Sequence, residues 1–241
     1  MCIVFGNVDV ARFWEYSEYA QENYVGEQLT DDIRVSIESE LGYRLPDAYV
    51  ELMRHQNGGL PLRTQHRTTE PTSWAEDHVA ITGLYGIGRN RPYSLCGSMG
   101  SRFWIEEWEY PEIGVYFADC PSAGHDMLCL DYRECGPSGE PEVVHVDQES
   151  DYKITPVADT FESFIRGLER DEAFTSIEDE ETIDDKVLSI WMDPECGKTM
   201  GIESPEGGAR KKKAEQEKSA TPTKHVLQTL KNAFRRRKKT P

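Results

Sequence analysis

The 241-residue chain has no apolar run of membrane-spanning length; its longest purely apolar stretch, residues 1–5, falls far short of the roughly 20 residues that cross a bilayer. No basic segment precedes that stretch, so a cleaved secretory signal is not expected. Cysteine is sparse, with six residues (Cys2, Cys96, Cys120, Cys129, Cys135 and Cys196), and no two stand in a C-x-x-C arrangement. A zinc ribbon is therefore not expected, and reduced thiols in a cytoplasmic or nuclear compartment fit better than a disulfide framework. Basic residues are also under-represented, 27 against 44 acidic ones, for a net charge of -17.

That sum hides two opposite regions. Residues 205–241 carry 12 basic and 3 acidic side chains, net +9, which leaves 15 basic and 41 acidic in residues 1–204, net -26. A polyanionic body repels nucleic acid and attracts basic partners; the tail alone does the reverse.

Hydrophobic spacing gives the local elements. Between Asp9 and Tyr24, the residues Phe13, Trp14, Tyr16, Tyr19 and Ala20 recur as on an amphipathic helix. A second helix is capped by Thr30 or Asp31, carries Ile33, Ile37 and Leu41 on one face and stops at Gly42. A third opens with Pro46 in its first position, buries Tyr49, Leu52 and Met53, and ends at Asn57-Gly58-Gly59. Residues 61–77 show little period and read as a long ordered loop or irregular edges, pinned to the core by Trp74. Residues 78–88 read as one bent strand, followed by strands over 113–118, 127–132 and 143–146, with an edge strand over 152–155 stopped by Pro156. Asp159 or Thr160 caps a last helix bearing Phe161, Phe164, Ile165 and Leu168.

The domain expected from this pattern spans 9–170. It is followed by an acidic linker over 171–204, in which only 187–192, with Trp191, has the apolar content to dock, and by the basic tail over 205–241. The linker and tail lack the apolar residues to fold alone and read as mostly disordered. In the tail, Val226, Leu227, Leu230 and Phe234 have helical spacing beside Arg235, Arg236, Arg237, Lys238 and Lys239. Such a segment suits an anionic membrane, nucleic acid or nuclear import, or else is a solvated counterweight to the acidic body.

Chemical motifs are weak. Gly83-x-x-Gly86-x-Gly88 reverses the glycine order of a dinucleotide loop and lacks the lysine of a P-loop. Asp119, His125, Asp126, Asp131, His145 and Asp147 form a dense set of metal-type ligands and the best enzymatic clue, but they lack ligand spacing, and Asp beside a strand commonly caps turns. Cys120 or Cys129 with His125 or His145, and Ser122 in its small-residue turn, likewise show no catalytic spacing. No catalytic residue, metal or cofactor is expected. Trp104, Trp108 and Tyr110 among Glu106, Glu107, Glu109 and Glu112 fit either a short helix packing its rings inward or an anionic, aromatic docking surface.

Several longer strings carry a resemblance: Leu-Gly-Tyr-Arg-Leu-Pro-Asp-Ala-Tyr (41–49), Gln-Asn-Gly-Gly (56–59), Glu-Pro-Thr-Ser-Trp-Ala-Glu-Asp-His (70–78) and Gly-Leu-Tyr-Gly-Ile-Gly (83–88). Cys-Pro-Ser-Ala-Gly-His-Asp (120–126) and Gly-Glu-Pro-Glu-Val-Val-His-Val-Asp-Gln-Glu (139–149) continue the series. Together they resemble the SUKH superfamily, the Smi/Knr-type proteins, over residues 14–168. The resemblance implies an α+β domain, a central, mainly antiparallel sheet flanked by helices, and a binding function without catalysis, as in bacterial immunity proteins that neutralise toxins, often nucleases, or fungal cell-wall regulators. Taken together with the net charge of -26 over residues 1–204, the resemblance makes a basic toxin domain the expected partner, and Glu106, Glu107, Trp108, Glu109, Glu112, Asp119 and Asp126 the expected contacts. Gly58, Gly59, Gly83, Gly86, Gly124 and Trp74 are expected to determine the fold. The charged extension lies outside the resemblance and suggests a second function, a regulatory scaffold sent by its tail to a nucleus or membrane. A metal-dependent hydrolase built on the Asp and His set is the third.

Overall fold

The computed structural model describes residues 10–174. The run 1–5, Cys2 and Cys196, the linker beyond 174 with its docking segment, and the tail with Arg235 to Lys239 lie outside the described residues. The chain order is β1 (Trp14–Glu15), α1 (Glu18–Asn23), α2 (Asp31–Leu41), α3 (Asp47–His55), β2 (Leu60–Pro61), β3 (Gln65–Arg67), β4 (His78–Ala80) and β5 (Gly83–Leu84). It continues with α4 (Ser101–Trp108), β6 (Gly114–Asp119), β7 (Asp126–Asp131), β8 (Glu142–Asp147), β9 (Lys153–Ala158), α5 (Phe161–Gly167) and β10 (Leu168–Glu169).

The architecture is α+β. A five-stranded antiparallel sheet runs β5-β6-β7-β8-β9, beside a three-stranded sheet β10-β3-β4 and the pair β1-β2. Nearly every residue of β6, β7 and β8 is buried, so these strands read as continuous apolar runs and not as alternating ones. The core includes Tyr49 of α3, Phe117 of β6 and Phe161 of α5, with ring centroids 4.6–5.9 Å apart, and the Tyr49 hydroxyl donates to the Tyr85 carbonyl.

Cap chemistry follows the sequence closely. The Thr30 hydroxyl accepts from Ile33 N, Gly42 closes α2 at φ 81°, and Thr160 forms a capping box with Ser163 at the start of α5. Pro46 stands one position earlier than expected, as the N-cap of α3.

Four expectations need correction. The first helix is only six residues long and is capped by Ser17, because Trp14 and Glu15 leave the helical path to pair with Pro61 and Leu60. Residues 78–88 do not form one strand: β4 belongs to the three-stranded sheet and β5 to the five-stranded one. The segment 61–77 contains β3, which pairs with both β4 and β10. Trp74 does not pin the loop, being 45% exposed; Thr72 organises that loop instead, its hydroxyl donating to the His78 carbonyl at 2.8 Å and accepting from Trp74 N. In addition, β9 continues through Pro156, which an edge strand tolerates since one row of its N–H groups has no ladder partner to lose.

The other expected fold determinants are tight positions. Gly58 has φ 90°, and a Cβ there would lie 2.6 Å from the Tyr24 carbonyl and 2.7 Å from Gly86 N; at Gly86 it would meet the Asn57 carbonyl at 2.5 Å. These two glycines let the turn after α3 touch the chain that leaves β5. Gly59 and Gly124 also take positive φ, and a Cβ on Gly83 would strike the Tyr24 ring.

Candidate functional site: an acidic, aromatic end of the sheet

The helix α4 packs Trp104 inward, 3% exposed, with its indole N–H donating to the Met99 carbonyl at 3.0 Å. Glu106, Glu107, Glu109 and Glu112 are all exposed, while Trp108 is half-buried between them and the sheet. The helix has no basic residue in its last turn, and its C-cap is Glu109 at φ 61°. Three carboxylates thus stand at the negative end of a helix dipole, an arrangement that costs about 0.3–1 kcal/mol per charge.

Two sheet turns hold this end in place. The Tyr152 hydroxyl, from the β8–β9 turn, donates to the Trp108 carbonyl at 2.7 Å, and the Tyr110 hydroxyl donates to the Gly124 carbonyl, in the β6–β7 turn, at 2.8 Å. Trp108 meets His125 edge to face at 6.0 Å, and His125 Nδ1 lies 3.2 Å from Gln148 Oε1 and 3.5 Å from Glu149 Oε1. Glu149 and Asp151 therefore extend the acidic rim, and sequence reading missed both; their only sequence signal was the turn that follows β8. All four non-glycine residues with positive φ among the described residues, Glu109, Ala123, Asp151 and Tyr152, belong to this rim. Backbone strain of this kind persists where surrounding contacts enforce it, and it clusters at functional surfaces.

Asp119 and Asp126, expected as contacts, have internal partners. The Tyr24 hydroxyl donates to both oxygens of Asp119, at 3.0 and 2.9 Å. Burial pushes the Asp119 carboxyl up to about 7 against that donor. Asp126 is 5% exposed; its Oδ1 accepts from Ser73 Oγ at 2.5 Å and lies 3.3 Å from His145 Nε2. Burial alone would raise the Asp126 carboxyl, but His145 and Ser73 outweigh it and hold the group below the usual carboxylate range.

The six metal-type residues do not converge. Asp119 pairs with Met127, so it faces the opposite side of the sheet from Asp126, whose cross-strand partner is Asp147. Asp131 lies at the far end of β7 and is held by the Arg133 guanidinium. His125 sits in the acidic rim, and among the described residues no three His, Cys, Asp or Glu side chains form a group that could hold a metal ion. Cys96, Cys120, Cys129 and Cys135 are free thiols, and burial raises the pKa of Cys120 and Cys129 well above the ordinary thiol value, opposite to what a nucleophile requires. No helix among the described residues is long and apolar enough to cross a membrane.

No curated protein and no solved structure matches the chain. The model of the SMI1-KNR4 cell-wall family, SUKH_6, matches residues 31–165, from the start of α2 into α5, which covers more than half of the sequence and both turns that carry the acidic rim. With its antiparallel sheet, flanking helices and this match, the chain belongs to the SMI1-KNR4 cell-wall family.

Proposed function

We propose that this protein is a non-catalytic binding module that neutralises a basic toxin, most concretely a nuclease, by docking the α4 rim onto the toxin's cationic surface. The observation that carries the reading is the set Glu106, Glu107 and Glu109 at the negative end of α4, with no basic residue in the last turn to offset it. A cationic partner relieves that unfavourable electrostatics on binding, and Trp108 at the rim adds an aromatic anchor. A nuclease site is cationic because it holds phosphate, so carboxylates compete for the same positions, and the field of residues 1–204 steers association. A cytoplasmic location follows for an antidote that meets its toxin inside the cell.

The test is co-purification of the full chain with the basic domain encoded beside it, at low and high salt, with nuclease activity measured alongside. A one-to-one complex that loses its affinity at high salt and silences the nuclease supports the proposal. Failure to bind any such domain removes it.

The net charge of +9 over residues 205–241 favours a second reading, a regulatory scaffold whose tail directs it to a nucleus or an anionic membrane. Deleting 205–241 is then expected to change localisation and partner recovery; unchanged results dispose of the scaffold.

A further inference from the structure

A cavity of about 180 Å³ lies where residues 71–73 cross the ends of β8 and β9. His145 and Thr155, a cross-strand pair, line it, and each is 1% exposed. Neither His145 Nδ1 nor Thr155 Oγ1 has a hydrogen-bond partner. A buried polar atom without a partner costs about 1–3 kcal/mol, so two beside one cavity call for a ligand group.

The donors around the cavity are already engaged. Ser73 donates to Asp126, Thr72 to the His78 carbonyl, and Lys153 Nζ to the Pro71 carbonyl at 3.0 Å. Asp126 Oδ1 lies 3.3 Å from His145 Nε2, and in the neutral tautomer with its proton on that side Nδ1 is an acceptor. Thr155 Oγ1 also accepts. Asp147, 4% exposed, is the carboxylate of the wall and balances the Lys153 ammonium, so with His145 Nδ1 and Thr155 Oγ1 the acceptors outnumber the cations. The chemistry that fits is a cationic group with several N–H donors. Asp147 also opens the turn that carries Glu149 and Asp151, so the cavity and the acidic rim share one end of the sheet.

We infer that this cavity is an anchor for the charged end of one lysine or arginine side chain of the bound protein, which donates to His145 Nδ1 and Thr155 Oγ1 beside Asp147. The inference rests on the proposed binding of a basic protein and names a contact that the exposed glutamates do not provide. Lys153 is the resident competing charge at the mouth.

The test uses the full chain, N-acetyl-lysine N-methylamide as probe and its norleucine analogue as the uncharged control, read through the ring nitrogen signals of His145 by NMR. A saturable shift with the lysine compound alone is expected, weakened about tenfold by Thr155→Val, a loss on the scale of one charge-assisted hydrogen bond, and strengthened by Lys153→Met. Thermal unfolding verifies that both variants fold. An equal response to the norleucine compound, or an unchanged response in Thr155→Val, overturns the anchor. A toxin domain that binds the full chain and Thr155→Val equally also overturns the anchor while leaving the toxin reading standing, so the two failures are distinguishable.

Discussion

At the scale of single residues, Asp119 couples folding to pH. Its folded pKa of about 7 stands above the roughly 3.9 of an unfolded aspartate, so between these values the folded state keeps a proton that the unfolded state has lost. Its contribution to stability is therefore fully present below about pH 4, falls as pH rises and levels off above about pH 7. Replacing Asp119 with Asn should flatten that slope and raise stability at pH 8 by about 1–2 kcal/mol, with little gain at pH 5, as read by denaturant melts at the two pH values. A native slope of the opposite sign would contradict the assignment. Gly86→Ala should destabilise by about 2 kcal/mol in the same assay, since its Cβ meets backbone that cannot rotate away. Cap residues such as Thr30, Gly42 and Thr160 were legible in the sequence because their partners lie within a few positions. The bonds from Tyr24 to Asp119 and from Ser73 to Asp126 were not, because they span 95 and 53 residues and leave no periodic trace.

For whole elements, legibility followed the balance between local pattern and pairing. The helices α3 and α5 carry a buried stripe, α2 a partly buried one centred on Ile37, and all three have a start signal, so they were readable within a residue or two. The first helix was overextended because the aromatic spacing through Trp14 fits a helix as well as the short strand that pairs with β2. Residues 61–77 carry no period that could place Trp74, and a loop organised through the Thr72 hydroxyl leaves it outside the core. The helix α4 was legible as a helix with exposed glutamates, and of its two tryptophans Trp104 packs inward while Trp108 stays half-buried; the two turns that brace it became visible only in three dimensions. A triple variant, Glu106→Lys, Glu107→Lys and Glu109→Lys, should raise thermal stability modestly, by about 0.5 kcal/mol per residue, because cations suit a helix C-terminus. The same variant should associate with a basic toxin domain at least about tenfold more slowly at low salt, the gap closing at high salt. Stopped-flow association beside calorimetry checks both; faster binding by the stabilised variant would remove α4 from the interface.

On the scale of the whole molecule, charge is divided by position. The acidic 1–204 and the basic 205–241 were legible by counting alone, which also shows why the overall -17 misleads. Removing 205–241 takes away +9 and should increase the salt sensitivity of binding to a basic domain, because the tail competes with that domain for the same field; titrations at several ionic strengths read this as a steeper slope. An unchanged slope would mean that the tail and the rim act independently. The five-stranded sheet has a different kind of asymmetry at its borders. One edge strand, β5, is two residues long, and the other, β9, carries Pro156, which has no N–H to offer an incoming strand. Neither border of this sheet offers an incoming strand a continuous row of N–H groups, so pairing of two copies through the edges of the five-stranded sheet is disfavoured.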